Sequence, residues 1–244
     1  MNTTFEQIQN KLEVLEKKKY TDKEQTFVQH YLGTGKKVLG IKISEILKIA
    51  KDTINDQDKT SVKDIVDLLD KLFFANTFEE HAIGGKIFTL LKPEAREQIS
   101  FSHLEKWLEK ARGWVEIDVI CQSTFTGEEV IKRWPEWGRM IKRFRKSKII
   151  SLRRASLVLQ NPSVKKTNDT KMRKLAFETI DELKGEKDIL ITKAVSWLLR
   201  SLVALDREEV KKYLVENQSS LPRIAFRETM KKIETGKKTG KKEL

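Results

Sequence analysis

Residues 61–74 and 78–91 read SVKDIVDLLDKLFF and FEEHAIGGKIFTLL, and these two segments decide the fold class. In both segments apolar residues recur three and four positions apart, the spacing that places them on one side of an α-helix. Three residues separate the segments. They therefore predict two helices that are joined by a short connection and can pack against each other.

The same apolar spacing continues through the rest of the chain, and no alternating β-type segment of useful length occurs. Glycine (11) and proline (4) are scarce in these 244 residues, which argues against an all-β fold and against long linkers. The pattern predicts further helices over residues 103–113, 114–123, 129–144, 148–161, 172–183, 190–205 and 207–217.

The predicted helices form pairs, and the second helices begin near residues 77, 114, 148, 188 and 222. Steps of roughly 34 to 40 residues are typical of HEAT or armadillo units. The sequence thus predicts an all-α protein, a curved α-solenoid of HEAT-like helix pairs with a concave basic face. We expect one domain over residues 1–235, with a helical cap over 1–55 and a flexible lysine-rich tail over 236–244.

The positive charge of the chain is confined to two segments. Residues 131–154 hold ten Lys or Arg and one acid, and residues 231–244 hold six Lys and two Glu, so their net charges of +9 and +4 sum to the +13 of the whole chain. A basic surface of this kind indicates a polyanionic partner, and the lysine-rich tail lacks the apolar face that membrane binding requires. We therefore expect nucleic acid, and no membrane, as the partner.

The location of the protein in the cell is predicted from what the sequence lacks. No run of about 18 apolar residues predicts a transmembrane span. The first residues have no apolar signal core, and the single cysteine, Cys121, cannot form an internal disulfide. These features predict a cytoplasmic protein.

The segment GWVEIDVIC, residues 113–121, sets Trp114 and Asp118 one helical turn apart. An aromatic ring and a carboxylate on one stripe could form an acid–base or electrostatic site beside the basic surface. The ordinary alternative is a tryptophan packed in the core and an aspartate that faces water.

Arg154 is placed unusually for a charged residue, because it falls between Ile150 and Val158 in the apolar arc of its helix. A cation at such a position needs an anion nearby, since burial of an unpaired charge is costly. The anion could be a phosphate, Asp118, or another carboxylate in an ordinary salt bridge. Arg153 falls on the polar side of the same helix, with Ser156 and Gln160, and is predicted to contact DNA.

Trp197 borders a polar strip made by Lys193, Ser196 and Arg200. Its ring could lie against a sugar or a base while Lys193 and Arg200 contact phosphates, or it could be an ordinary boundary tryptophan. In the basic block, residues 131–154, aromatic residues interleave with cations that include Arg143 and Arg145, which predicts further nucleic-acid contacts. The aromatic residues of this block are Trp134, Trp137 and Phe144.

The sequence offers little for metal or nucleophilic chemistry. The three histidines, His30, His81 and His103, have no metal-ligand spacing, and neither a nucleophile elbow nor a complete phosphate loop occurs. We expect neither a metal nor an organic cofactor. The Gly84–Gly85 pair predicts a helix bend or a close approach of another helix.

Several segments, in order, resemble the AlkD-type DNA glycosylases, the HEAT-like-repeat DNA alkylation repair family. They are YLGTGKKVLGIKISEILKIAKD (31–52), GWVEIDVIC (113–121), SLRRASLVLQ (151–160), KAVSWLLRSL (193–202) and PRIAFRETMKKI (222–233). The resemblance covers residues 30–235. It departs from the family beside Trp114, where the second tryptophan that members often carry is replaced by Gly113 or Val115.

The resemblance implies a monomeric enzyme that hydrolyses the N-glycosidic bond of cationic N3- or N7-alkylated purines in double-stranded DNA, without base flipping. It assigns Trp114, Asp118 and Trp197 to the cleft around the deoxyribose. It adds Arg154 as a further functional position and Arg200 as a contact to the DNA backbone. A non-catalytic HEAT-repeat protein that binds distorted or branched DNA is the alternative, and a protein–protein scaffold is disfavoured by the localised charge.

Overall fold

The structure is a computed structural model that describes residues 4–16, 20–55, 60–122, 125–167 and 169–238. It divides into two compact units, residues 1–120 and 121–244, and each is described by itself. Across the described residues, the regular structure is α-helical apart from one isolated parallel bridge between Lys37 and Thr77. The all-α class is therefore confirmed, and the single domain over 1–235 stays a prediction. Residues 239–244 of the predicted tail lie outside the described residues.

The first unit opens with the three helices of the predicted cap and continues with five further helices. The cap consists of α1 (Thr4–Leu15), α2 (Asp22–Leu32) and α3 (Ile43–Thr53). It is followed by α4 (Val62–Phe74), α5 (Phe78–Leu90), α6 (Pro93–Gln98), α7 (Phe101–Lys110) and α8 (Gly113–Cys121).

The second unit continues the alternation of first and second helices. Its elements are α9 (Gly127–Lys132), α10 (Trp134–Arg145), α11 (Ile150–Val158), α12 (Gln160–Lys166), α13 (Thr170–Leu183), α14 (Ile189–Leu202), α15 (Arg207–Glu216) and α16 (Arg223–Thr235). The second helices α5, α8, α11, α14 and α16 begin within two residues of the predicted positions.

Local capping residues set many of these helix starts. Thr21, Thr77 and Thr126 each accept a hydrogen bond from the backbone N–H three residues later, and the glutamate at that third position bonds back to the threonine N–H. Such a capping box satisfies two backbone donors that the first helical turn leaves unpaired. The helices α2, α5 and α9 therefore start where the sequence alone would place a cap.

Two segments that were each predicted as one helix contain two helices in the structure. The segment 129–144 is divided into α9 and α10 at Arg133, because Pro135 has no N–H to donate and fits only the first turn of a helix. The segment 148–161 ends as α11 at Val158, and α12 begins at Gln160 after the shared cap residue Leu159.

Gly84 and Gly85 let α5 lie close to two neighbouring helices of the first unit. A Cβ atom built at Gly85 would lie 2.5 Å from Val119 Cγ1 in α8, and one at Gly84 would lie 3.1 Å from the Phe73 ring in α4. The prediction of a close helix approach at this pair is confirmed. The same contact packs α8, which carries Trp114 and Asp118, directly against α5.

The second unit packs in two rows of helices. The first helices α10, α13 and α15 form one row, and α11, α14 and α16 form the other, with α10 on α11, α13 on α14 and α15 on α16. Arginines connect successive helix pairs by ion pairs to acids 33 or 36 residues later. These pairs are Arg145–Glu178 (3.4 Å), Arg153–Glu186 (2.7 Å) and Arg173–Glu209 (3.3 Å).

Candidate functional site

Trp114 and Asp118 lie one turn apart on α8 and differ sharply in exposure. The Trp114 residue is 40% exposed, whereas Asp118 is 4% exposed. The ordinary alternative, a core tryptophan beside a solvated aspartate, is the reverse of this arrangement. An exposed aromatic surface beside a buried carboxylate suits a site in which the ring meets the ligand first.

Two glycines with left-handed backbone form the base against which the Trp114 ring lies. Gly33 ends α2 at φ +64°, and a Cβ atom there would lie 2.8 Å from Trp114 Cδ1. Gly113 begins α8, also at φ +64°, and its Cβ would lie 1.3 Å from the Gly33 carbonyl oxygen. Any side chain at Gly113 would force these two backbones apart, so the tryptophan that the family often carries beside Trp114 cannot stand there.

Glu116, on α8 between Trp114 and Asp118, fastens the turn after Gly33 to this helix. Its buried carboxylate accepts hydrogen bonds from the Thr34 hydroxyl, from the Gly35 N–H (3.3 Å) and from the Arg112 N–H (2.9 Å). The bonded groups come from both sides of the Gly33–Gly113 contact. Glu116 is therefore a positioning residue for the Trp114 ring.

His81 lies in the core of the first unit and is hydrogen-bonded to the backbone of α8. Its Nε2–H donates to the Glu116 carbonyl (2.9 Å), and its Nδ1 lies 3.3 Å from the Phe73 carbonyl, to which the Lys36 ammonium also donates. Burial lowers the pKa of His81, and the nearby positive charge of Lys36 acts in the same direction. The imidazole is therefore neutral at physiological pH.

In the second unit, Arg154 is buried as its place in the apolar arc predicts. It is 4% exposed, and its Nη1 donates to the Leu190 carbonyl in the first turn of α14 at 2.5 Å. Trp197 lies seven residues further along α14, two helical turns on, and is half-buried. Arg154 of α11 thus contacts the helix that carries Trp197, about two turns before that residue.

The other predicted DNA contacts of the second unit differ in what they bind. Arg153 forms a two-pronged ion pair with Glu186, and Arg145 pairs with Glu178. Arg200 pairs with Glu228 at 3.6 Å, and its Nε also donates to the Ser196 carbonyl. Burial lowers the pKa of Arg200 and the Glu228 carboxylate opposes that shift, while the guanidinium stays charged at neutral pH. The remaining predicted contacts, Lys193 and Arg143, are exposed.

Several predicted polar or aromatic surfaces are core instead. Ser156, Gln160 and Ser196 were predicted on polar faces and are at most 2% exposed. Trp137 and Phe144 of the basic block are also buried, at 1% and 0%. Those two rings fill the core under α10 and cannot stack on bases. The prediction that they contact nucleic acid is therefore wrong.

Sequence reasoning missed Gly33, Glu116 and His81, the supports of the Trp114 ring. Gly33 carries a weak local signal, because glycine commonly follows the last residue of a helix. No local sequence pattern marks Glu116 or His81, which also bind partners 82 and 35 residues away. Tyr31, two residues before Gly33, is a further exposed aromatic at this end of α2.

A metal site finds no support in the described part of the chain, where no group of three or more His, Cys, Asp or Glu side chains could hold a metal ion. Among the same residues, no helix is long and apolar enough to cross a membrane.

The sequence model of the DNA alkylation repair enzyme family matches residues 8–233. The chain belongs to this family. A solved structure described as a predicted DNA alkylation repair enzyme from Enterococcus faecalis has the same fold, with a TM-score of 0.70 over 87% of this chain and 96% of that one. At 17% identity that likeness concerns the fold alone. No curated protein matches the chain significantly. Family membership gives the protein a role in DNA alkylation repair, with DNA as its partner.

Proposed function

We propose that the protein is a DNA glycosylase that hydrolyses the N-glycosidic bond of cationic N3- or N7-alkylated purines in duplex DNA, without flipping the base. The proposal depends most on one observation, the half-exposed Trp114 ring and the buried Asp118 carboxylate one turn apart on α8, in a chain of the DNA alkylation repair family.

The chemistry follows from the charge of the lesion. An alkylated purine is already cationic, so it is a good leaving group and needs little help from an acid. As the glycosidic bond breaks, its electron pair goes to the purine and positive charge develops on the deoxyribose. The Asp118 carboxylate would stabilise that charge and orient the attacking water, whose proton is released to solvent.

The tryptophans add to this stabilisation through their ring faces. Indole is the best aromatic partner for a cation, and the sugar of the transition state carries cationic character. The exposure of Trp114 and the partial exposure of Trp197 support this role. Arg154, buried against the first turn of α14, would hold the helix that carries Trp197 in place beside the DNA.

The decisive experiment measures the release of 7-methylguanine and 3-methyladenine from methylated duplex DNA. We expect wild type to release both and Asp118→Asn to be slower by about 10²-fold to 10³-fold, the usual cost of removing one electrostatic group from an active site. Asp67→Asn, a matched change at an exposed aspartate of α4, should match wild type. Thermal unfolding of both variants checks that the fold is retained.

The alternative function has its own outcome in the same assay. A protein that binds methylated or branched duplexes and releases no base is a non-catalytic DNA-binding member of the family. Equal rates for wild type and Asp118→Asn would remove Asp118 from the reaction. Arg154→Ala should lose both binding and release.

A further inference from the structure

The basic block has its exposed charge on α10 rather than on the row of helices that carries Arg154 and Trp197. Four cations on and just after α10 lie at spacings of three and four residues and are all exposed; this basic stripe consists of Arg139, Lys142, Arg143 and Lys146. No acid occurs between Arg139 and Lys148 in the sequence. One exposed acid of α10, Glu136, lies one turn before Arg139 and pairs with Arg133 at 2.9 Å, so the stripe itself carries positive charge alone.

The stripe faces away from the core of its unit. The buried side chains of α10 are Trp137, Met140, Ile141 and Phe144. At about 100° per residue, the mean direction of the stripe lies roughly 180° from the mean direction of these four. Because α10 packs on α11 and α13 through its buried side, the stripe points away from the row that contains α11 and α14.

Neighbouring helices of the same row do not share this charge. The exposed charged residues of α13 are Lys171, Lys174, Asp181 and Glu182, and those of α15 are Arg207, Glu208, Glu209, Lys211, Lys212 and Glu216. Each set has as many acids as bases. An ordinary solvated helix face would resemble those two, so the excess on α10 needs its own explanation.

We propose that the basic stripe binds the phosphate backbone of a second segment of duplex DNA, separate from the segment that the proposed glycosylase site would hold. The stripe extends about 10 Å along the helix, a length over which duplex DNA carries about six phosphates. An anionic membrane is a poorer match, because a membrane-surface helix needs an exposed apolar face and that of α10 is buried.

The experiment tests whether one protein can hold two duplexes. A bead carries an undamaged duplex, the protein is added, and capture of a second, fluorescent duplex is measured. We expect wild type to capture it and the triple variant Arg139→Gln/Lys142→Gln/Lys146→Gln to bind the bead duplex without capturing the second. The matched control is Lys171→Gln/Lys174→Gln/Lys212→Gln, which removes the same charge from the same row and should capture like wild type.

Salt supplies a quantitative criterion. Each phosphate contact steepens the fall of log K with log salt concentration by about 0.9. Three contacts should therefore lower the affinity for the captured duplex by about 40-fold between about 50 and 200 mM salt. Basic residues near the end of α10 also favour the helix dipole, an effect that changes unfolding temperature rather than capture. Unfolding temperatures of both triple variants are therefore measured alongside.

Three results would overturn the proposal. Wild type that never captures a second duplex has no second surface, and equal capture by the stripe variant places that surface elsewhere. Tighter stripe-dependent binding to phosphatidylserine vesicles than to duplex DNA would identify a membrane surface instead. Base release plays no part in capture, so failure here leaves the glycosylase proposal standing, and failure of base release leaves capture interpretable.

Discussion

Replacing Glu116 by alanine should destabilise the protein through the loss of three hydrogen bonds. The carboxylate accepts from Thr34, Gly35 and Arg112, and the two backbone N–H groups are only partly buried. A typical net value of about 1 kcal/mol per bond gives a loss of about 3 kcal/mol in the free energy of unfolding. For a chain of this size, that corresponds to a fall of about 6–12 °C in Tm.

Thermal unfolding followed by far-ultraviolet circular dichroism measures this change. Glu116→Gln keeps an oxygen for Thr34 and Gly35 but turns an amide toward the Arg112 N–H, so we expect a loss of about 1 kcal/mol. Glu109→Ala removes an exposed carboxylate from the neighbouring helix α7 and should change stability by no more than about 0.5 kcal/mol. A Glu116→Ala protein as stable as Glu109→Ala would refute the role assigned to Glu116.

Two further predictions concern the supports of α8. Gly113→Ala should cost more than about 2 kcal/mol of stability, because its φ is +64° and the new Cβ would collide with the Gly33 carbonyl. The control Gly138→Ala, with open space around the new Cβ, should stabilise α10 by up to about 1 kcal/mol. Urea unfolding measures the free energy of unfolding of both variants. Since the pKa of His81 is lowered in the folded state, the unfolded chain binds the extra proton below about pH 6.5, so stability falls as pH drops through that value, by at most about 1.4 kcal/mol per pH unit. His81→Gln should lose this part of the acid sensitivity, and an unchanged difference between pH 7 and pH 5 would contradict the assignment.

The helices were predictable because their signals are local. Apolar spacing and short connections placed the second helices within two residues of their observed starts. Local patterns did not predict which side of α10 its aromatic residues occupy. Trp137 and Phe144 lie seven residues apart, so both are on the buried side of the helix. Interleaving with cations in sequence does not mean interleaving on a surface.

The candidate site was predictable only in part. The spacing of Trp114 and Asp118 and the anomalous place of Arg154 are visible in the sequence, and the structure gives their burial. The contact between Gly33 and Gly113 joins residues 80 positions apart, and Glu116 looks like any other acid on a helix. Such contacts depend on how helices pack, which periodicity does not encode.

The ion pairs between successive helix pairs of the second unit restrict how this chain can change length. Arg145 and Arg173 each reach an acid on a helix of the next pair, and Arg153 reaches Glu186 in the connection between α13 and α14. One residue inserted inside such a helix would rotate everything beyond it by about 100° and turn a guanidinium away from its carboxylate. Insertions should therefore be tolerated in the connecting loops and selected against within the helices, even at positions that touch no DNA.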